Sequence, residues 1–218
     1  MRNALSQLSL LAGRTNYSDR EEVEKLYKLG DDVFNILTIH AADENDLTLA
    51  KPEKRCPGSS HQDLKDHEQL DVLQDKLEQL LLKLYTNVLK LYTNAGDGAD
   101  SVKDGEEFYL LLSEFHARYL EHTAGEERVT QQMLWKHFSN EEFAWHRGKI
   151  MARNPPQTLL LWFRFVLPAQ SHQEKVGLLT GFKKIVPPPF FNEGMEVIRQ
   201  VLTEDEFASL KNDLILGR

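Results

Sequence analysis

The sequence predicts an all-α protein: an antiparallel four-helix bundle with a C-terminal helical extension. Apolar residues recur at spacings of three and four almost throughout the chain, the period of a helix with one buried face. Alternating β-branched runs closed by hairpin turns, the mark of strands, are absent from the sequence. The connections between the helical stretches are short, which favours antiparallel neighbours. A chain of 218 residues suffices for one well-filled core and an appendage.

The first helix covers about residues 1–13, with Leu5, Leu8 and Leu11/Ala12 on one face, and breaks at Gly13. Ser18 or Asp19 is the expected N-cap of the second, because Glu21 and Glu22 supply first-turn acids. That helix is expected to end near Ala50, before Pro52, with Gly30 as an internal weakness. A loop at Cys56-Pro57-Gly58-Ser59-Ser60 precedes the third helix, about 61–93, whose apolar stripe reads Leu64, Leu70, Leu73, Leu77, Leu81, Leu84. A polar, glycine-rich connection spans 94–105. The fourth helix, about 106–137, has the clearest stripe: Phe108, Leu112, Phe115, Tyr119, His122, Glu126, Val129, Met133. Ser139 to Glu142 opens a further short helix. Beyond Asn154, prolines at 155–156, 168 and 187–189 cut the chain into short helices expected at 157–166, 171–184 and 192–214. The domain reading is therefore 1–150 for the bundle and 151–218 for an extension packed on it.

A formal charge of −8 argues against nucleic acid as a partner, since phosphate binding needs a basic face. Cys56 is the single cysteine, which excludes an internal disulfide and a thiolate cluster and fits a reducing, cytoplasmic setting. Arg2 and the amphipathic run after it do not read as a secretory signal. The most apolar window, 158–169, contains Arg164 and is too short to span a bilayer. No membrane role is expected.

Metal-ligand residue types interrupt the apolar stripes at helical spacing. On the second helix Val33, Leu37, His40, Glu44 and Leu47 share a face; on the fourth, Phe115, Tyr119, His122, Glu126 and Val129 do. In both, His and Glu stand four residues apart, one turn from each other. A lone His-x-x-x-Glu is ordinarily an exposed pair. Two on apolar faces are different, because an ionised Glu facing a core costs several kcal/mol unless compensated. One shared cation compensates both. His67 adds an inward imidazole from the third helix, and imidazole plus carboxylate without thiolate suits iron, manganese or zinc. Two carboxylates able to bridge favour a two-metal site between facing helices. His61 and His116, six residues before His67 and His122, fall on another face and are expected at the surface, as are His146 and His172; His137 is expected to pack or cap a helix end. Phosphate-loop, zincin and nucleophile-elbow motifs are absent from the sequence.

Three stretches, Phe34 to Asn45, Asp66-His67-Glu68-Gln69-Leu70 and Tyr119 to Glu127, resemble the hemerythrin-like (HHE cation-binding) family. Met133 to Ser139 with Glu141-Glu142, and the approach Thr15-Asn16-Tyr17-Ser18, are similar to hemerythrin domains of iron-sensing ubiquitin ligases. The resemblance covers about residues 1–150. It implies His40, Glu44, His67, His122 and Glu126 as metal ligands, non-haem iron in a pair as the cofactor, and O₂ or a related small molecule as the ligand. Iron or oxygen sensing with a protein partner is the function it implies. The sequence departs from the family in lacking a histidine in the first helix, and Asp63 stands one turn before His67 where a second histidine is usual; Asp63 and Asp71 are candidate oxygen donors in compensation. Two rival readings share these residues: an oxidoreductase acting on peroxide or nitric oxide, and a helical interaction module with an incomplete site.

Overall fold

The computed structural model describes residues 1–91 and 98–216, and these residues form helices joined by short turns, with no strand among them. No helix among them is long and apolar enough to cross a membrane. The chain divides into two compact units, one of Arg2 and Ala4–Arg153 and one of Asn154–Arg218 with Met1 and Asn3.

In the larger unit, α1 (Arg2–Arg14) buries Ala4, Leu5, Leu8 and Ala12. The Tyr17 hydroxyl donates to the Ala12 carbonyl at 2.8 Å and pins the turn that follows. Asp19 caps α2 (Arg20–Asp43) by accepting from the Glu22 amide at 3.0 Å. Helix α4 (His61–Leu91) packs against α2 on one side and α5 (Gly98–Gly125) on the other. At Gly30 α2 packs tightly on α4: a Cβ there would lie 2.4 Å from Leu81 Cδ2. What reads as a helix weakness is a contact point.

The inward stripe of α4 begins with Asp63 and His67, and continues through Leu70, Gln74, Leu77, Leu81, Leu84 and Val88 at alternating steps of four and three. Leu64, expected on that stripe, is 38% exposed, while Asp63 is buried. The buried face at the start of α4 is polar because the centre described below lies there. Helix α5 starts well before the expected 106, at Gly98; residues 94–97 of the expected connection lie outside the described residues. Asp104 holds this early part of the helix to α4, accepting from Lys83 Nζ at 2.6 Å and Asn87 Nδ2 at 2.8 Å.

Two π-helical turns reset the stripes. Glu44–Leu49 follows α2, and Glu126–Thr130 follows α5. A π turn bonds residue i to i+5 and inserts one residue into the helical register. After Glu44 the buried position is therefore Leu49, at 2% exposure, five residues on. After Glu126 it is Thr130, at 7%, while Val129 is 67% exposed. Helices α3 (Ala50–Arg55) and α6 (Gln131–His137) continue from the π turns. Pro52 consequently sits inside α3 and does not end the preceding helix, since the wider turn before it relaxes the ring's crowding against the carbonyl four residues back. The Ser60 hydroxyl donates to the Leu49 carbonyl at 3.0 Å and fastens the following loop to the turn. Helix α7 (Asn140–Arg153) completes the unit and packs on the first π turn.

The smaller unit contains α8 (Pro156–Val166), α9 (His172–Ile185), α10 (Pro188–Val201) and α11 (Glu204–Leu216). Its centre is aromatic: Phe163 meets Phe182 edge-on at 4.8 Å between ring centroids, and Phe190 and Phe191 also pack on Phe182. The single helix expected over 192–214 is two. Thr203 breaks it by capping α11: its hydroxyl accepts from the Glu206 amide at 3.3 Å, and its own amide donates to the Glu206 carboxylate at 3.0 Å.

Candidate metal centre

Glu44, His67, His122 and Glu126 each offer one donor atom, and these atoms all lie within 4.8 Å of one another. The donors come from the ends of α2 and α5 and from the start of α4. The two glutamates occupy equivalent places, each at the first residue of a π turn. Widening the helix at that point aims the carboxylate at the axis between helices while the chain beyond keeps a buried face.

Three of the separations match those of adjacent ligands around one ion. His67 Nε2 and His122 Nε2 are 3.0 Å apart, His67 Nε2 and Glu44 Oε2 3.4 Å, and His122 Nε2 and Glu126 Oε1 3.5 Å. Donors about 2.1 Å from a shared cation stand about 3.0 Å apart across an octahedral right angle and about 3.4 Å apart across a tetrahedral one. The imidazoles are oriented from behind. His67 Nδ1 is 2.6 Å from Asn45 Oδ1, so its N–H donates outward and Nε2 faces the centre. His122 Nδ1 faces Asp66 Oδ2 at 3.6 Å. Asn45 lies inside the motifs that carry the family resemblance, but its hold on His67 is invisible to helical spacing, because it acts across a gap to another helix.

The electrostatics are those of a site short of positive charge. Burial pushes the Glu126 carboxyl up to about 9, and the nearby Glu44 carboxylate adds to the shift. Burial also works against ionisation of Glu44, yet the adjoining His67 imidazole, with His40 and His122, holds it below the ordinary range. Burial pushes His40 and His122 towards the neutral form. In the metal-free protein the Glu126 carboxyl thus keeps a proton, and His40 and His122 are disposed to be neutral. Glu44 Oε2, which faces His67 Nε2 at 3.4 Å, is sealed from solvent with no aligned hydrogen bond. A buried carboxylate oxygen of this kind calls for a partner, and a divalent cation among the four donors would supply one. The donor set of two imidazoles and two carboxylates fits iron, manganese or zinc.

His40 stands beside this group. Its Nε2 is 3.4 Å from Glu44 Oε1, so the two oxygens of Glu44 face different imidazoles: Oε1 faces His40 and Oε2 faces His67. Of the candidate oxygen donors, Asp63 accepts from the Thr130 hydroxyl at 2.6 Å and belongs to the wall. Asp71 is exposed. His116 and His146, expected at the surface, are half-buried, each next to a hydroxyl: Ser9 Oγ at 3.0 Å and Thr48 Oγ1 at 3.0 Å. His61, His137 and His172 are exposed.

No family model, no curated protein and no solved structure matches this chain.

Proposed function

We propose that the chain is a non-haem iron protein of the hemerythrin-like kind, an antiparallel four-helix bundle that holds two irons and binds or senses O₂ or a related small molecule. The observation that carries the reading is the convergence of four donors within 4.8 Å, two of them histidines whose ring nitrogens face each other at 3.0 Å. A hydrophobic core gains nothing from that arrangement, and even with the two imidazoles hydrogen-bonded to each other Glu44 Oε2 stays sealed without a hydrogen-bond partner. A cation resolves it.

Two irons would be held unequally: Glu44, His67, His122 and Glu126 would hold the first, and His40 with Glu44, whose two oxygens face His40 and His67, would hold the second. Iron held there would supply a redox-active Lewis acid with coordination positions left for a small ligand. The protein's own contribution is to orient His67 through Asn45, to exclude water around His67 and His122, and to release the Glu126 proton as metal enters. Metal binding would then add to folding stability and so report iron availability to a protein partner. The thin ligation of the second position favours, as the alternative, a helical regulatory module with an incomplete site; an oxidoreductase for peroxide or nitric oxide would use the same residues.

Metal analysis after anaerobic ferrous loading tests the reading, together with ultraviolet–visible spectra before and after dithionite. The expected result is between one and two irons per chain, with ferric absorption that dithionite bleaches. Glu126→Ala should abolish loading and His116→Ala should leave it intact. Wild-type protein that takes up no metal would sink the proposal.

A further inference from the structure

Tyr119 lies on the inward stripe of α5, three residues before His122 and seven before Glu126. It is 5% exposed, its ring stands 6.1 Å from the His122 ring at 69°, and its hydroxyl is sealed from solvent with no hydrogen-bond partner. Leaving a phenol O–H buried and unpaired costs about 1–3 kcal/mol. Phenylalanine fills the same space without that cost, and the stripe already uses it one turn earlier at Phe115. The phenol is thus a buried donor beside the His122 ring, and it has nothing to donate to among the side chains around it.

We infer that Tyr119 is a specificity-determining hydrogen-bond donor for a small acceptor ligand, a dioxygen-sized molecule or linear anion, bound at the metal centre. The inference rests on the metal reading above. A phenol in this place discriminates among small molecules by what they offer it. A ligand with an acceptor atom beyond its metal-bound atom gains a hydrogen bond, and one without leaves the O–H unpaired.

Azide is the probe, added to the iron-loaded, oxidised full chain and to Tyr119→Phe. Both proteins should contain the same iron per chain. Azide should bind the variant about tenfold more weakly, equivalent to about 1.4 kcal/mol. The antisymmetric stretch of bound azide should shift in D₂O for the wild type and stay fixed for Tyr119→Phe, a change that a purely structural role would not produce. Equal azide affinity, or a D₂O shift that survives in Tyr119→Phe, overturns the inference and leaves the metal centre standing. Loss of iron from Tyr119→Phe also overturns it, by assigning the tyrosine to assembly of the site. A wild type without iron fails the metal reading itself, and the inference with it.

Discussion

Replacing Glu126 with glutamine should make the metal-free protein more stable at neutral pH. In the folded chain the Glu126 carboxyl is pushed from 4.5 to about 9, by burial first and then by Glu44, with only 17% of its side chain exposed. The folded state therefore holds a proton that the unfolded chain has already lost, and stability falls as pH rises from 4.5 towards 9. At pH 7 the gap from the unperturbed value is 7 − 4.5 = 2.5 units, worth about 3 kcal/mol at 1.36 kcal/mol per unit. Glutamine keeps the shape of the protonated acid without the proton equilibrium. Urea unfolding of chelator-treated wild type and Glu126→Gln at pH 5, 7 and 8 measures the difference. The two proteins should nearly coincide at pH 5 and diverge by about 3 kcal/mol at pH 7. His40 and His122, held neutral by burial, act in the opposite sense, adding stability as pH rises to the ordinary imidazole value, but they are common to both proteins and cancel. Parallel pH profiles would refute the claim that Glu126 carries an uncompensated cost, and with it the argument that a cation is what compensates it.

Metal affinity should rise between pH 6 and 8 in chelator competition, because the proton on Glu126 must leave before its oxygen can bind. Asn45→Ala should weaken metal binding by about 10–100-fold while leaving the helices intact by circular dichroism, since it removes the acceptor that aims His67. Gly105→Ala should destabilise the protein by about 1–3 kcal/mol in urea, the usual cost of overpacking, because its Cβ would fall 2.1 Å from Tyr17 Cγ. Gly177→Ala, where nothing lies within 4 Å of the added carbon, should instead gain up to about 1 kcal/mol from helix propensity.

Much of the molecule is legible from spacing because helices are local. His40, Glu44, His122 and Glu126 are visible as intrusions of polar donors into apolar stripes, and an inward carboxylate is expensive enough to be informative. His67 is visible for the same reason, although the buried stripe around it runs through Asp63 and Gln74, not through the apolar Leu64 and Leu73. That displacement has a physical cause. A buried face made of Asp, His and Gln cannot be told from a solvated face by hydropathy; only its partners, Thr130 for Asp63 and the Phe34 carbonyl for Gln74, reveal it as interior. The break at Thr203 was legible in principle, since Thr203 and Glu206 have capping-box spacing, but the apolar run on either side masks it.

The chain's own periodicity determined that this protein is helical and that two His-x-x-x-Glu pairs and a third imidazole interrupt its inward faces, because side chains one turn apart lie on the same side of a helix whatever surrounds them. Tertiary structure alone decided that Glu44, His67, His122 and Glu126 share one point while His40 stands behind Glu44. It also decided that each ligand glutamate opens a π turn, and that the buried residues beyond the two are Leu49 and Thr130 in place of Leu47 and Val129. A regular 3.6-residue period contains no such insertion. The extra residue is tolerated where the packing of three helices, and the polar centre between them, over-determine the backbone.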